Sequence, residues 1–140
     1  MIKEKNQIKD FKINMKKIIK TSKAPLPVGP YNQAVQFDNT LYISGQVAIN
    51  PENNEIIKGS IQDATKLIMK NIEAILNEAG FNFKDVVRSK IYLTDMNNFS
   101  KVNEVYGSYF EKNYEPARTT IEVSGLPLGV DVEIDMIAVN

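Results

Sequence analysis

The feature that most constrains this fold is one amphipathic helix between two strand-like segments. Its apolar side chains recur at helical spacing: Ala64, Leu67, Ile68, Ile72, Ile75, Leu76 and Ala79. Ser60 and Asp63 form the pattern of a capping box, and Gly80 suits the position just after the helix. A helix with a single apolar stripe buries it against one face of a sheet. The sequence therefore predicts a domain in which this helix covers a sheet.

The segments on either side of this helix have strand patterns. Residues 34–37 and 41–44 flank an Asp-Asn-Thr turn, which predicts a hairpin whose second strand continues to residue 49. Between residues 87 and 93 apolar and polar side chains alternate, with Val87 in the apolar set. A strand, a helix and a further strand form a βαβ unit, so the strands flanking the helix are predicted to be parallel neighbours.

A second helical stripe follows, and two further strands complete the pattern. The stripe consists of Phe99, Val102, Tyr106, Tyr109 and Phe110, with Asn97 or Asn98 as its N-cap. Strands are expected at residues 119–124 and 130–139, on either side of a turn. The predicted α+β order is β-β-β-α-β-α-β-β, a mixed six-stranded sheet with two helices packed on one face. The other face is uncovered and partly apolar, which predicts oligomerisation.

The length of 140 residues suits one compact domain. Residues 1–14 are polar and rich in Lys, so they are predicted to be a disordered or variable extension, leaving residues 15–140 as the domain. No apolar run approaches the roughly 20 residues that span a bilayer, and the N-terminus lacks a signal-peptide pattern. A cytoplasmic protein without a membrane segment is expected.

The absence of Cys and His restricts the chemistry. It excludes disulfides, a thiol nucleophile, thiolate or imidazole metal ligands and a Ser-His-Asp triad. The acidic residues have no calcium-loop spacing, and no nucleotide-binding glycine loop is present. Equal numbers of basic and acidic residues, 17 each, give no field to steer the chain onto nucleic acid. Any catalysis is therefore expected to rely on Arg, Lys, carboxylates, Tyr, hydroxyls, backbone groups and water. An all-oxygen metal site is not excluded by composition, and a nucleic-acid partner is disfavoured without being excluded.

Arg118 and Glu133 are the main candidates for chemistry. Arg118 begins a predicted strand, where its planar guanidinium can bind a carboxylate through two hydrogen bonds, although a solvated Arg paired with a surface acid fits the same pattern. Glu133 and Asp135 share one face of the last strand, which is either a wet sheet face or the wall of an interface cleft. In a cleft, a carboxylate orients or deprotonates water.

Two further segments have alternative interpretations. Tyr31 follows a proline-rich turn, so it either lines a cleft or packs with its hydroxyl at the surface. Ser44 and Gly45 interrupt a strand, which marks either close approach of a ligand or a β-bulge.

Five segments together resemble the Rid (YjgF) family of reactive-intermediate imine deaminases. They are APLPVGPYNQAV at 24–35, LYISGQV at 41–47, YLTDMNNFSKVNEVYGSYF at 92–110, PAR at 116–118 and VEIDMIAV at 132–139. The resemblance covers residues 15–140 and implies a chorismate-mutase-like fold. It also implies a homotrimer whose sheets surround a central barrel, with the sites in clefts between subunits. The implied substrates are enamines and imines such as 2-aminoacrylate, 2-iminopropanoate and 2-iminobutanoate, hydrolysed without a cofactor to 2-oxo acids and ammonia.

The resemblance also implies roles for individual residues. Arg118 matches the arginine that binds the substrate carboxylate, and Glu133 matches the acid that positions water; a nearby Arg118 would keep Glu133 ionised. The other positions that match the family's substrate-binding residues are Tyr31, Ser44, Gly45, Asn103 and Thr120. Thr119 is bulkier than is common in the family, and Asp135 replaces a common second Glu. Both departures are expected to alter the shape of the pocket.

Two alternatives remain at this stage. The same cleft suits a non-catalytic protein that binds 2-oxo acids or other small carboxylates as a sensor. A ribonuclease or translation inhibitor is the second alternative, since such activity is sometimes attributed to this family. The absence of His and the zero net charge argue against the second alternative.

Overall fold

The computed structural model describes residues 16–140, and the predicted extension at residues 1–14 lies outside the described residues. The elements are β1 (Lys16–Ile19), β2 (Ala34–Phe37), β3 (Thr40–Gln46), β4 (Ile49–Asn50), β5 (Glu55–Ile56), α1 (Ile61–Glu78), β6 (Val86–Leu93), α2 (Phe99–Gly107), β7 (Ala117–Glu122) and β8 (Val132–Val139). Short 3-10 turns precede β6, α2 and β8.

The main sheet has six strands in the order β1-β2-β3-β8-β6-β7. Strands β6 and β7 are parallel, and every other neighbouring pair is antiparallel. In chain order the strands of this sheet and the two helices follow the predicted β-β-β-α-β-α-β-β pattern, which confirms the fold class. The mixed sheet arises because only β6 and β7 are joined by a helical crossover between neighbours.

The N-terminal strands differ from the prediction in two respects. Strand β1 was not predicted, because its apolar and lysine residues fall beside the polar N-terminal segment. The expected continuation of β3 to Ile49 is wrong, since β3 ends at Gln46. Strand β4 instead pairs with β5 in a separate two-stranded sheet, after a tight turn in which the Ile49 N–H donates to the Val47 carbonyl at 2.8 Å.

The prediction that the strands flanking α1 are neighbours is also wrong. Strand β8 lies between β3 and β6 and is antiparallel to both, so β3 and β6 run parallel to each other but do not pair. Strand β8 comes from the far C-terminal end of the chain, so local sequence carries no sign of its insertion. The crossover from β6 through α2 to β7 does join parallel neighbours.

Helix α1 has the predicted ends. The Ser60 hydroxyl accepts from the Asp63 N–H at 3.1 Å, and the Asp63 carboxylate accepts from the Ser60 N–H at 3.3 Å. At the C-terminus Gly80 has a φ of 80°, and the Phe81 N–H donates to the Leu76 carbonyl at 2.9 Å. This six-to-one bond identifies a Schellman motif, for which glycine is the preferred residue.

Helix α2 is shorter than the predicted stripe. Asn98 precedes it but makes no side-chain capping bond, whereas the Asp95 carboxylate accepts from the Asn97 N–H at 2.9 Å in the preceding turn. The helix ends at Gly107, so the last two aromatic residues of the predicted stripe lie beyond it. They remain half-buried against the core, which explains why they fit an apolar pattern without being helical.

Both helices pack on one face of the sheet. Along β8 the buried residues Val132, Ile134, Met136 and Ala138 alternate with half-buried residues on the other face. Register places Ile18, Phe37, Tyr42 and Ile121 on that second face, which we call the outer face, where each is more than 40% exposed. Among the described residues nothing covers this face, in agreement with the prediction of an uncovered and partly apolar face.

Strand β6 contains a β-bulge at its start. Val86 pairs with Ala138 and Arg88 pairs with Ile137, so Val87 is an extra residue in the ladder. Val86 is consequently the buried residue, at 4% exposure, while Val87 is 48% exposed. The alternating pattern groups Val87 with Ser89 and Ile91, but the bulge leaves Val87 exposed while those two residues are buried. Within the described residues no helix is long and apolar enough to cross a membrane.

Candidate functional site

Arg118 points to the helix face of the sheet from the edge strand β7. Its register partner is Ser89, which in turn pairs with Met136, and both are buried beneath the helices. The guanidinium Nη1 donates to the Asn103 Oδ1 of α2 at 2.5 Å. This placement brings together two of the predicted site residues, Arg118 and Asn103.

Two aromatic rings of α2 complete the support of Arg118. The Arg118 Cζ lies 5.2 Å from the Tyr106 ring centroid and 5.6 Å from that of Phe99. Phe99, Asn103 and Tyr106 are spaced four and three residues apart, so they share one face of the helix. Cation–π attraction and one hydrogen bond therefore fix the plane of the guanidinium. Sequence reasoning assigned no site role to either ring, because each fits an ordinary apolar stripe.

Within the described residues Arg118 forms no surface salt bridge, which was the alternative to a role in binding a carboxylate. Among residues 16–140 the one ion pair joins Lys84 and Glu111 at 3.9 Å. Asn103 is the hydrogen-bond partner of the guanidinium in this part of the chain, which leaves most of its five N–H donors available. A half-buried Arg with unused donors suits an incoming carboxylate.

An open groove of about 640 Å³ lies beside the guanidinium, and we call it the Arg118 groove. Its lining residues are Ser100, Asn103, Glu104, Tyr106, Gly107, Glu115, Pro116 and Arg118. Thr120 lies two residues further along β7 on the same face, opposite buried Ile91. The Thr120 hydroxyl is buried and has no hydrogen-bond partner among the described residues. A polar atom in this state favours a polar partner from outside the chain.

Glu133 lies on the outer face, in a second cavity of about 320 Å³ that we call the Glu133 pocket. The residues lining it are Val28, Tyr31, Ser44, Gly45, Val47, Ile49, Pro127, Leu128 and Glu133. Four predicted site residues therefore meet here, and three others meet in or beside the Arg118 groove. In a single chain the two sets lie on opposite faces of the sheet.

The Ser44–Gly45 segment is a β-bulge that supports the wall of this pocket. Ile43 pairs with Met136 and Gln46 pairs with Ile134, so β3 has one more residue than β8 between these pairs. A Cβ on Gly45 would lie 2.8 Å from the Glu133 Cδ, so only glycine allows this approach. The Ser44 hydroxyl donates to the Asn32 carbonyl, which fixes the bulge to the loop before β2.

The loop that carries Tyr31 is organised by Gln33, which is 2% exposed. Its Nε2 donates to the carbonyls of Thr21, Ala24 and Pro25 within 3.1 Å, and its Oε1 accepts from the Thr21 N–H at 2.7 Å. The Tyr31 hydroxyl accepts from the Val28 N–H at 3.4 Å and its ring lines the Glu133 pocket. Sequence reasoning missed Gln33, since a buried glutamine in a loop has no periodic signal.

The electrostatics of Glu133 contradict one expectation. Burial, and secondarily the charge of Asp135, raise the pKa of Glu133 above its usual value. Arg118 of the same chain lies on the other face and makes no contribution, so the expectation that it keeps Glu133 ionised is wrong for one chain. A carboxyl with a raised pKa exchanges protons more readily near neutral pH.

The two departures from the family pattern both lie on the outer face. Thr119 accepts a hydrogen bond from the Arg88 Nη2 at 2.7 Å and points away from the Arg118 groove. Asp135 accepts from the Tyr92 hydroxyl at 2.9 Å. Within residues 16–140 no three acidic side chains converge as a metal site would require.

Comparisons with known proteins agree with this fold and these motifs. The family model described as endoribonuclease L-PSP matches residues 21–140. A RutC family protein of Pyrococcus horikoshii is 49% identical over 124 residues, which cover 89% of this chain and 98% of that protein. The 2-iminobutanoate/2-iminopropanoate deaminase of Mus musculus is 46% identical over 126 residues, which cover 90% and 93%.

A solved structure matches over the same range. It is YyfA of Yersinia pestis, described as a protein of unknown function in the conserved Rid protein family, with a TM-score of 0.86 and 43% identity. The match covers 89% of this chain and 99% of YyfA. The chain therefore belongs to the Rid (YjgF) family, whose sheet with two helices on one face is the fold described above. Its relatives include proteins named as imine deaminases, in mouse and in Homo sapiens.

Proposed function

We propose that this protein hydrolyses reactive enamines and imines, among them 2-aminoacrylate, 2-iminopropanoate and 2-iminobutanoate, to 2-oxo acids and ammonia. The observation that carries the proposal is that a chain of a family that includes imine deaminases has both an oriented Arg118 with unused N–H donors and a half-buried Glu133 with a raised pKa. Both groups suit this chemistry, one as a carboxylate receptor and the other as a proton carrier.

The complete site, in this proposal, forms between copies of the chain. The Arg118 groove and the Glu133 pocket lie on opposite faces, so one chain cannot present both to a three-carbon substrate. The outer face around the Glu133 pocket is partly apolar and, among the described residues, uncovered, which supports association there. We propose a cyclic homotrimer, as the family resemblance implies, in which Arg118 of one chain faces Glu133 of the next.

The proposed reaction adds water across the C=N bond. Arg118 binds the substrate carboxylate through two N–H groups, while Asn103 and the two rings keep the guanidinium plane fixed. An enamine first takes a proton at C3 and becomes the iminium form of the imine. Glu133 accepts a proton from water as the water oxygen attacks C2, which gives a carbinolamine. Glu133 returns that proton to the nitrogen, the C–N bond breaks to release ammonia, and Glu133 accepts the hydroxyl proton as the carbonyl forms. Imines hydrolyse readily, so positioning supplies most of the rate enhancement required.

The test is a coupled assay in which a serine or threonine dehydratase generates the imine and its loss is followed. We expect the wild-type protein to accelerate the loss well above spontaneous hydrolysis. Arg118→Ala should reduce the acceleration by about a hundredfold, since a charge-assisted bidentate contact is removed. Lys101→Ala removes an exposed cation from the same helix and should leave the rate unchanged. Equal rates for Arg118→Ala and wild type would rule out the proposed mechanism.

Binding without catalysis is the alternative that the same Arg118 groove supports. Glu133→Gln distinguishes the two functions because it removes the proton carrier and leaves the guanidinium intact. Turnover should fall while the affinity for a 2-oxo acid survives. If Glu133→Gln instead matches the wild type in turnover, Glu133 is not the proton carrier.

The description of the family model keeps RNA cleavage as a second candidate. Incubation of labelled RNA with wild type, Arg118→Ala and Glu133→Gln decides this point. RNA cleavage by wild type that is lost in both variants would favour a nuclease. Equal low-level RNA cleavage by all three proteins would indicate a contaminating nuclease. We expect no cleavage that depends on these residues.

A further inference from the structure

A hydroxyl–carboxylate pair lies beside Glu133 on the outer face and has no place in the proposed mechanism. Tyr92 of β6 is the cross-strand partner of Glu133, yet its hydroxyl donates to Asp135 Oδ2 at 2.9 Å. Glu133 and Asp135 are two residues apart on β8, so their carboxylates share a face. Tyr92 therefore contacts the neighbour of the candidate proton carrier.

The charge of Asp135 is not neutralised by a cation in the described part of the chain. Lys90 is the cross-strand partner of Asp135, but it is exposed and forms no ion pair with it. The titratable groups beside Glu133 on the surrounding elements are Tyr92 and Lys90 on β6, Tyr31 in the loop before β2 and Asp135 on its own strand. Asp135 is thus the one acidic group among these neighbours.

The Tyr92 hydroxyl stays protonated at neutral pH and so remains the donor of the hydrogen bond to Asp135. Burial, together with the hydrogen bond to Asp135, raises the pKa of Tyr92 to about 12. Its proton therefore stays in place through the neutral range, and the Asp135 carboxylate stays fixed relative to Glu133. A fixed anion on the same strand face acts on Glu133 with constant geometry.

We propose that Asp135, held by Tyr92, is a positioning residue that sets the pH range in which Glu133 exchanges protons. The kinetic consequence rests on the proposed function, but the effect on the Glu133 carboxyl does not. Asp135 raises the pKa of Glu133 in addition to the effect of burial.

The direct test titrates the Glu133 carboxyl by carbon NMR in protein labelled at glutamate side chains, with the signal identified by its loss in Glu133→Gln. In Asp135→Asn the titration should move to lower pH. Tyr92→Phe should move it in the same direction by a smaller amount, because Asp135 is released. Added to Asp135→Asn, Tyr92→Phe should have no further effect, since Tyr92 acts through Asp135. In Asp135→Glu the pKa of Glu133 should stay raised, because the negative charge at position 135 is kept.

Asp131 supplies a matched control. Asp131 precedes Glu133 by two residues, whereas Asp135 follows it by two. The Asp131 carboxylate accepts a hydrogen bond from the Thr94 hydroxyl at 3.0 Å. It is exposed and makes no contribution to the pKa of Glu133. Asp131→Asn should therefore leave the titration unchanged. Equal titrations of Glu133 in wild type and Asp135→Asn would overturn the proposal.

The pH profile of kcat/KM supplies the second readout. If ionised Glu133 is the base, the variant keeps more of Glu133 ionised at acidic pH because the charge of Asp135 is gone. At pH values below the optimum, with each kcat/KM expressed as a fraction of its own maximum, Asp135→Asn should be about two- to threefold more active than wild type. An unmoved acid limb with a moved NMR titration would overturn the kinetic part alone. A wild type without imine hydrolysis would refute the proposed function, while the NMR titration would still decide the role of Asp135.

Discussion

Arg118 depends on its neighbours for its orientation more than on its own strand. Three side chains of α2 hold the guanidinium by one hydrogen bond and two ring faces. Lysine preserves the charge, but it lacks the planar fork and the stacking surface. The residue type at position 118 is therefore as constrained as its charge.

Arg118→Lys should lower kcat/KM for imine hydrolysis by about ten- to a hundredfold, because one of two parallel hydrogen bonds and the cation–π geometry are lost. The measurement is the coupled dehydratase assay at several substrate levels. Lys101→Arg makes the reverse exchange on the exposed side of the same helix and should be neutral. An unaltered kcat/KM in Arg118→Lys would mean that charge alone is sufficient.

Glu133→Gln should raise the melting temperature at pH 7 while it abolishes turnover. The folded-state pKa of Glu133 is raised, mainly by burial, so the ionised carboxylate destabilises the fold at pH values above that pKa. As the pH falls below the folded-state pKa, the advantage of Gln shrinks, and it disappears below the lower pKa of the unfolded chain, where the carboxyl is neutral in both states. Calorimetry at neutral and acidic pH tests this, with exposed Glu55→Gln as the control. A gain that is the same at both pH values would contradict the explanation.

At the scale of elements, the bulge at Ser44 and Gly45 positions the wall of the Glu133 pocket. Gly45→Ala should reduce turnover by about tenfold or more, because the new Cβ occupies the position of the Glu133 carboxylate. The fold should survive, since the obstacle is the end of a flexible side chain. Gly125→Ala, where nothing lies within 4 Å of the added Cβ, is the matched control for activity and melting. Full activity in Gly45→Ala would show that Glu133 can work from another position.

The capping box of α1 is a purely structural element. Ser60→Ala should lower the free energy of unfolding by about 1 kcal/mol, because the Asp63 N–H loses its acceptor. The melting temperature should fall by about 4 °C, without a change in kcat/KM per folded protein. Exposed Ser124→Ala, in the loop after β7, should have no such effect. A loss of activity larger than the loss of folded protein would connect this helix end to the site.

The elements differ in how far sequence predicts them. Helix α1 was predicted to its capping residues, because periodicity, the Ser60–Asp63 pair and Gly80 agree. The insertion of β8 between β3 and β6 was not predictable, since pairing partners distant in sequence leave no local pattern. The bulge at Val87 was not predictable for the same reason. An extra residue in a strand ladder is defined by the partner strand, so the sequence of β6 alone does not show that Val87 is exposed.

The candidate site was predictable as residue types and not as an arrangement. Motif resemblance identified Arg118 and Glu133, but only the register of β6, β7 and β8 places them on opposite faces. Sequence reasoning missed the two rings that contact Arg118, from Phe99 and Tyr106, and the buried Gln33 side chain that organises the loop of Tyr31. An aromatic stripe or a buried amide serves packing as readily as function. What the patterns lack is the identity of neighbours across the sheet.

At the scale of the whole molecule, the proposed site predicts complementation between inactive chains. Arg118→Ala and Glu133→Gln, coexpressed with different tags and purified through both, should regain about a third of the wild-type rate per chain. This fraction follows because purification through both tags keeps only mixed trimers, and each mixed cyclic trimer has one of its three interfaces at which an intact arginine meets an intact carboxylate. The same variants mixed after separate purification, without exchange of subunits, should stay inactive. Inactive coassembled chains would show that each site uses one chain alone.

The separation of the Arg118 groove from the Glu133 pocket has a consequence for how activity responds to dilution. A chain that holds both halves of its site keeps the same turnover number at any concentration. In the proposed assembly a lone chain has an arginine without its carboxylate partner. Dissociation therefore abolishes its catalytic activity even though the chain remains folded. The rate should then rise more steeply than in proportion to the amount of protein, until assembly is complete.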